Sequence, residues 1–291
     1  MKKCLLCSKV NNTHYLKKVN GIQIYTCSSC QLGFLDKVGL AKQSRISKNI
    51  HYSLEKYRQE ESKLRKRFIL LSEIILRHKD KGELLDVGAG FGLFASIFAE
   101  KGFNITVIEP VNQLYYLRKF KKKVYRDTFD IFFQKNKNKY DLILLIDIIE
   151  HLKNPVNSIV RLKNRLNKKG IIVIQTPNYN SLMARICKNW SWWMITDHKY
   201  FFTPDSLSNM MKKTSYKLIL MKTYEDAGDF KKNLDGNFTP IKNVILRKLF
   251  KAIYYIVFFP LYFLFRPIIW RLGYGGLIFM IFTPTSKRRL D

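Results

Sequence analysis

The sequence predicts an α/β protein built on a mostly parallel sheet of seven strands, with helices on both faces. Three observations predict it. Short aliphatic or β-branched runs alternate with segments of helical length between residues 81 and 228. Those runs are apolar almost throughout, as suits strands covered on both sides. The first of them ends in "DVGAGFG", a glycine-rich turn of the kind that opens a helix at the carboxyl edge of a sheet.

Taken in order, the strands are "ELLDV" (83–87), "NITVIE" (104–109), "KKVYR" (122–126), "YDLILLID" (140–147), "GIIVIQT" (170–176) and "YKLILMKTY" (216–224). "GGLIFMIFT" (275–283) is expected as a seventh, antiparallel and at the edge. Around this core the chain divides into residues 1–38, which carry clustered cysteines, and 39–80, helical and strongly basic. The core runs over 81–228, an apolar and basic insertion over 229–274, and the final strand with a basic tail over 275–291.

Composition bounds the function. The 291 residues are 47% apolar, ample for a buried core. Lys and Arg number 52 against 22 Asp and Glu, a formal charge of +30, which attracts polyanions such as RNA, DNA or an acidic membrane face. Lysine also travels here with Ile, Asn, Phe and Tyr, so compositional drift explains the charge equally well. The start "MKKCLLCSKV" lacks a continuous apolar run and is a poor signal peptide. A reducing cytoplasm is expected, where clustered cysteines suit metal better than disulfides.

A strand ending at Val87 and a helix opening near Phe91 leave backbone N–H groups free to meet a ligand. The dinucleotide fingerprint G-x-G-x-x-G would need glycine at position 93, which is Leu93. The chain instead has Gly88, Gly90 and Gly92, with Asp86 just ahead. Twenty-three residues after Asp86 the second strand ends at Glu109, where a carboxylate can accept hydrogen bonds from ribose hydroxyls. Such a carboxylate suits NAD or S-adenosylmethionine alike, whereas the G-x-G-x-G form with Asp86 before it resembles motif I of the class I S-adenosylmethionine-dependent methyltransferases, whose sheet is Rossmann-like. "YDLILLIDIIEHLKNP" (140–155), "QTPNYNSL" (175–182) and "HKYFFTPDSLSNMMKKTSYKLI" (198–219) resemble later stretches of the same family. The resemblance covers roughly residues 50–225.

The resemblance implies site residues. Gly88, Gly90 and Gly92 admit the cofactor to the backbone, Asp86 orients the turn or the amino group, and Glu109 holds the ribose. Asp127 is the candidate for the adenine amino group, with Asp130 beside it. Asp147 joins the cofactor wall. Glu150 and His151 follow the fourth strand at the expected catalytic mouth, and the ordinary pKa of His, roughly 6.5, suits general-base work. The bland alternative ties the His151 side chain to nearby backbone. Similar Asp/Glu-x-x-Glu-His segments in methyltransferases of quinone biosynthesis hold a divalent metal, which makes Asp147, Glu150 and His151 a second candidate metal site. His198 is a further acid/base candidate, as is Tyr200. "WSWWMITDHKYFF" (190–202) reads either as an acceptor pocket or lid, or as a hydrophobic plug.

Two nucleic-acid chemistries are disfavoured. Amino methylation of bases uses Pro-Pro-aromatic after the fourth strand, where this chain has Ile148 and Ile149; cytosine C5 methylation uses a cysteine, usually beside proline, and Cys187 is not so placed.

Cys4-x-x-Cys7 and Cys27-x-x-Cys30 form two knuckles nineteen residues apart, the spacing of a zinc ribbon. Four thiolates close a tetrahedral site, so the zinc is structural. "YTCSSCQLGFLD" and "HYSLEKY" (51–57) look like zinc-bearing methyltransferases associated with sugar and glycan pathways, with Tyr52 and Tyr57 of the 39–80 cap closing over the cofactor. The sugar C-methyltransferases carry a further C-terminal domain with no counterpart in this sequence.

"AIYYIVFFPLYFLF" (252–265) is an uncharged run shorter than the roughly twenty residues a spanning helix needs. Flanked by Arg247, Lys248, Lys251, Arg266 and Arg271, it reads as a basic aromatic helix in the membrane interface, or as a hairpin packed on the sheet or in a dimer. The sequence therefore predicts an S-adenosylmethionine-dependent O-methyltransferase with a small-molecule, glycan or lipid-linked acceptor. It is expected in the cytoplasm, peripheral at the inner face of the cytoplasmic membrane and drawn to anionic lipid. The alternatives are an rRNA or tRNA methyltransferase, with nucleic acid as partner, and a non-catalytic cofactor-binding scaffold.

Overall fold

A computed structural model describes residues 4, 6–7, 12–46, 53–111, 114–238 and 241–285. The N-terminal elements are β1 (Thr13–Val19), β2 (Ile22–Cys27), β3 (Gly33–Leu35), α1 (Lys37–Ile46), α2 (Leu54–Gln59) and α3 (Glu61–Leu76). The alternating region follows as β4 (Glu83–Val87), α4 (Leu93–Glu100), β5 (Asn104–Ile108), β6 (Lys122–Tyr125), α5 (Phe129–Lys135), β7 (Tyr140–Ile146), α6 (Pro155–Lys163) and β8 (Leu166–Pro177). The chain continues through α7 (Leu182–Ile186), β9 (Tyr200–Phe201), α8 (Pro204–Lys213), β10 (Tyr216–Tyr224), α9 (Ala227–Asn237), α10 (Val244–Arg271) and β11 (Leu277–Pro284).

Contacts divide the chain into two compact units. One holds Ser47–Gln175, Met210–Leu220 and Met280–Asp291. In it β4 pairs in parallel with β5 and with β7, β5 with β6, and β7 with β8. Leu84, Leu85, Leu142 to Leu145 and Ile172 to Ile174 are fully buried, which is why these runs carry no polar alternation. The α3 helix turns Phe68, Leu71 and Ile75 inward, and Phe68 meets Phe94 of α4 at 4.7 Å between ring centres. Asn154 caps α6 through its side chain and Pro155 opens the first turn, the usual division of labour at a helix start.

The seven-stranded sheet has the order β10-β11-β8-β7-β4-β5-β6. The expected edge position of the last strand is thereby corrected: β11 is second from the edge and β10 is outermost. Burial gives the reason. The first six residues of β11 are all buried, whereas most of β10 is exposed, so the more apolar run takes the inner place.

The other unit holds Met1–Ile46, Thr176–Asn209 and Met221–Phe279. Its sheet has the order β1-β2-β3-β9, antiparallel at each pairing. Ile22, Ile24 and Leu35 from this sheet form one core with Trp190, Trp193, Phe201, Phe230 and Tyr262. Of the two readings of the tryptophan-rich stretch, the hydrophobic plug therefore holds for Trp190 and Trp193, which are 2% and 4% exposed. Cys187 is buried in the same core, as a small apolar residue.

α10 extends over 28 residues, twice the uncharged run that the sequence marks. Pro260 and Pro267 lie inside it without ending it, two turns apart and so on one flank of the helix. Its length alone would reach across a bilayer, which overturns the expectation that it is too short.

Candidate cofactor and catalytic site

The β-register brings the polar residues of the core to one edge. Asp86 pairs with Val107 on one side and Leu144 on the other, Glu109 follows the last paired residue of β5, and Asp147 follows the last of β7, opposite Gln175. At β4 the strand order reverses, with β5 and β6 to one side and β7 and β8 to the other. The carboxyl ends of strands at such a reversal form the crevice where open α/β sheets take their ligands.

The glycine turn is specified by two different constraints. Gly88 has a φ of 71°, and a Cβ there would stand 2.1 Å from Cδ1 of Ile148, the residue two beyond the end of β7. Its N–H donates to Ile108 O at 2.7 Å, which pins the turn to the neighbouring strand. Gly90 has a φ of 55°, and a Cβ there would meet no described atom within 4 Å, so open space lies beside its backbone. Gly92 sits at the N-cap of α4, its N–H donating to Ala89 O at 2.8 Å.

Glu109 grips this turn. Its Oε2 accepts the Gly90 N–H at 2.8 Å and its Oε1 accepts the Val111 N–H at 2.9 Å. Burial pushes its carboxyl pKa up, and the two amide bonds oppose that shift. Asp86, 4% exposed, is pushed up to about 7 by burial first and by the charge of Glu109 second. Two carboxylates thus share one poorly solvated crevice. That arrangement favours a ligand carrying hydroxyl donors and a positive charge.

Above the turn, the ring of Tyr57 in α2 lies 4.7 Å from Phe91 and 6.0 Å from Tyr116, and burial pushes its hydroxyl pKa up. Tyr116 donates to Glu61 Oε2 at 2.7 Å, tying the segment after β5 to the start of α3. Tyr52 lies outside the described residues. Asp127, after β6, is partly buried with Lys135 Nζ at 3.4 Å, while Asp130 is bound by Arg161 through both side chain and carbonyl.

Asp147 takes a left-handed φ of 55°, which turns its carboxylate onto Gln175: the Nε2 of Gln175 donates to Oδ1 at 3.1 Å and to Oδ2 at 3.0 Å. Its own N–H donates to Gln175 O at 3.0 Å. Among the described residues Asp147 accordingly does not join a ligand cluster with Glu150 and His151, and the expected three-residue metal site does not assemble. Glu150 and His151 stand in a single 3-10 turn, Ile149–His151, with Glu150 1% exposed and His151 half-buried. A carboxylate oxygen of one and a ring nitrogen of the other lie within 4.8 Å.

His198 belongs to the other unit. It is 2% exposed, its N–H donates to Met194 O at 2.9 Å, its carbonyl accepts from Gln43 Nε2 at 2.9 Å, and its ring lies 6.3 Å from that of Phe201. Tyr200 is buried, which pushes its hydroxyl up to about 12.

The four cysteines of this unit converge. Cys4 Sγ lies 3.5 Å from Cys30 Sγ, Cys7 Sγ lies 3.4 Å from Cys27 Sγ, and all four sulfurs are within 4.8 Å of one another. None of them is in a disulfide. A tetrahedral zinc with Zn–S bonds of about 2.3 Å sets its sulfurs about 3.8 Å apart. The donor set and the spacing fit that ion, and four thiolates leave no open position for catalysis.

Three contributors escaped the sequence reading: Gln175, Ile148 and Tyr116. Gln175 alone left a trace, as the one amide in the run "GIIVIQT" (170–176).

A family model described as a methyltransferase domain matches residues 54–220. The chain is 28% identical over 152 residues to the ubiquinone biosynthesis O-methyltransferase of Rickettsia bellii (strain OSU 85-389), an alignment covering 48% of this chain and 63% of that protein. The enzyme of the same description from Rickettsia typhi is 26% identical over 167 residues, covering 53% and 68%. The chain thus spans less than two thirds of the Rickettsia bellii relative. Among solved structures, a SAM dependent methyltransferase from Archaeoglobus fulgidus superposes with a TM-score of 0.54 at 18% identity, covering 79% of this chain and 97% of that one. A Burkholderia thailandensis 1,6-didemethyltoxoflavin-N1-methyltransferase, solved with S-adenosylhomocysteine, gives 0.53 at 11% identity, covering 94% and 99%. At these identities the superpositions establish the fold.

Proposed function

The chain belongs to the methyltransferase-domain family, and from that premise we propose that it transfers a methyl group from S-adenosylmethionine to a hydroxyl of a glycan, sugar or lipid-linked intermediate. The observation that carries the reading is the clamp of Glu109 on Gly90 beside open space. Each Glu109 oxygen accepts one amide and retains a second acceptor position, which suits the two hydroxyls of a ribose. Gly90 leaves its backbone approachable, and Asp86 is the carboxylate placed to meet an ammonium.

S-adenosylmethionine, when bound, supplies a methyl already made electrophilic by its sulfonium. The protein's own work is then to position the acceptor, exclude water and take the hydroxyl proton. His151 is the group assigned to that proton, with Glu150 positioning it within the same turn. Tyr57 and Phe91 cover the crevice with aromatic surface. The four cysteines would hold a structural zinc, which would contribute folding energy. Transfer to oxygen is supported by the names of the Rickettsia relatives, both ubiquinone biosynthesis O-methyltransferases.

A second reading, methylation of rRNA or tRNA, is favoured by the charge of +30 and by the zinc-ribbon spacing of the cysteines. The readings separate in one experiment. Purified protein is given S-adenosylmethionine labelled in its methyl group and, in separate reactions, membrane lipid extract, cell-surface glycan and total RNA. Label in an alkali-stable ether of the lipid or glycan fraction, lost in His151→Ala, is the expected result. Label in RNA only would replace this reading with the second, and cofactor binding without label in any fraction would leave a scaffold.

A further inference from the structure

We propose that α10 is an in-plane membrane helix, which seats one face on its own unit and lays the opposite face into an anionic bilayer surface without crossing it. The docked face is defined by named contacts. Tyr262 stacks on Phe230 of α9 at 3.8 Å between ring centres, and its hydroxyl donates to Glu225 Oε2 at 3.2 Å. Tyr255 donates to Asp235 at 2.7 Å, Lys251 pairs with the same carboxylate at 2.8 Å, and the Trp270 carbonyl accepts from the Thr223 hydroxyl at 2.6 Å. Lys251, Tyr255, Tyr262 and Trp270 recur at helical spacing along one side.

The opposite side is apolar and bare. Leu246, Phe250, Ile253, Val257, Leu264 and Ile268 follow one another at intervals of three, four or seven residues, and each is 46 to 70% exposed. They form a stripe along a helix about 42 Å long, flanked by Ile245, Leu249, Ile256, Phe258, Leu261 and Phe265, which are 46 to 78% exposed as well. Tyr262 is the only described residue of the helix that is buried. A stripe of this size is beyond what a helix leaves in water without a partner.

Two features identify the partner as an anionic lipid surface. α10 contains Arg247, Lys248, Lys251, Arg266 and Arg271 and no acidic residue. Arg266 packs over the rings of Phe263 and Trp270, and none of these cations except Arg271, at the last turn, interrupts the stripe. Basic flanks beside an apolar stripe complement anionic headgroups above acyl chains. A second copy of the same face would oppose cation to cation.

The docked face disfavours crossing the bilayer. A spanning helix would carry Asp235, Glu225 and Lys251 into hydrocarbon together with the backbone of α9, and charged groups there cost several kcal/mol each. An in-plane helix needs no such burial, since lipid reaches only the exposed sides of the helix. This inference is independent of the catalytic reading, because it is read out by binding.

The test uses the full chain and sedimentation with vesicles of phosphatidylcholine alone or with a quarter phosphatidylglycerol. The wild type is expected to pellet with the mixed vesicles at least tenfold better than with the neutral ones. Val257→Asp combined with Leu264→Asp should abolish pelleting at an unchanged melting temperature, and Arg247→Gln with Lys248→Gln should weaken only the preference for the anionic vesicles. Alkaline carbonate should release the bound wild type. Three results would overturn the proposal: a folded wild type that ignores both vesicles, resistance to carbonate, or a wild-type dimer in buffer that the double Asp variant converts to monomer. The variants are not needed for the first two, so a variant that fails to fold leaves the proposal exposed to refutation.

Discussion

Glu109 Oε2 accepts the Gly90 amide at 2.8 Å, so the residue just after β5 holds the turn that follows β4. One carboxylate thereby links the shape of the glycine turn to the acceptor positions beside it. Replacing Glu109 by Ala removes both functions, and by Gln keeps an acceptor but loses the charge. Charge-assisted hydrogen bonds contribute about 1.5–3 kcal/mol, so Glu109→Ala should weaken S-adenosylmethionine binding by about ten- to a hundredfold, and Glu109→Gln by less. Titration calorimetry of the three proteins checks the order.

Asp86 gives the protein a pH dependence of calculable sign. Its folded pKa is raised from 3.8 to about 7, so the folded state holds this proton more tightly than the unfolded chain does. The associated stability is fully present below about pH 4 and is lost as pH rises through about 7. Asp86→Asn should therefore raise the melting temperature of the ligand-free protein above pH 7, leave it nearly unchanged below pH 4, and weaken cofactor binding throughout. Melting curves across that window suffice.

Gly88 is constrained by sterics as well as by φ. Gly88→Ala puts a methyl 2.1 Å from the Ile148 side chain and forces an alanine into the left-handed region, itself a cost of about 1–2 kcal/mol. The variant should melt lower and bind cofactor poorly. Adding Ile148→Ala should restore part of the loss, because the collision is relieved and the backbone strain is not. Comparing the single and double variants in a thermal melt measures the two parts separately.

The cysteine cluster predicts one tightly held zinc per chain by elemental analysis. Chelation or Cys27→Ser should lower the melting temperature by several degrees or more, while S-adenosylmethionine affinity at a temperature where the protein stays folded should change little. The distinction matters because all four ligands lie in one unit and the glycine turn in the other.

The parts of the fold that were legible in the sequence are those written locally. Alternating apolar runs and turns placed β4 to β8 within a few residues, and the turn Gly88-x-Gly90-x-Gly92 identified its crevice because strand, turn and helix are contiguous. Glu109 was legible as the end of the next strand. Gln175 and Ile148 were not, since each acts across a strand pairing, and nothing near Gln175 in sequence tells that it holds Asp147. The placement of β11 inside the sheet was hidden for the same reason. The extent of α10 was obscured by Lys251 and Arg266, whose charges bound the uncharged run 252–265. The helix continues because its docked side supplies contacts that no local propensity records.

The account rests on the crevice at the end of β4 being a site for S-adenosylmethionine. Titration calorimetry of the purified full chain tests this most directly. Saturable binding of S-adenosylmethionine and of S-adenosylhomocysteine, abolished or greatly weakened in Glu109→Ala, is the predicted result. Binding of NAD or FAD with no heat from either S-adenosyl compound would contradict it.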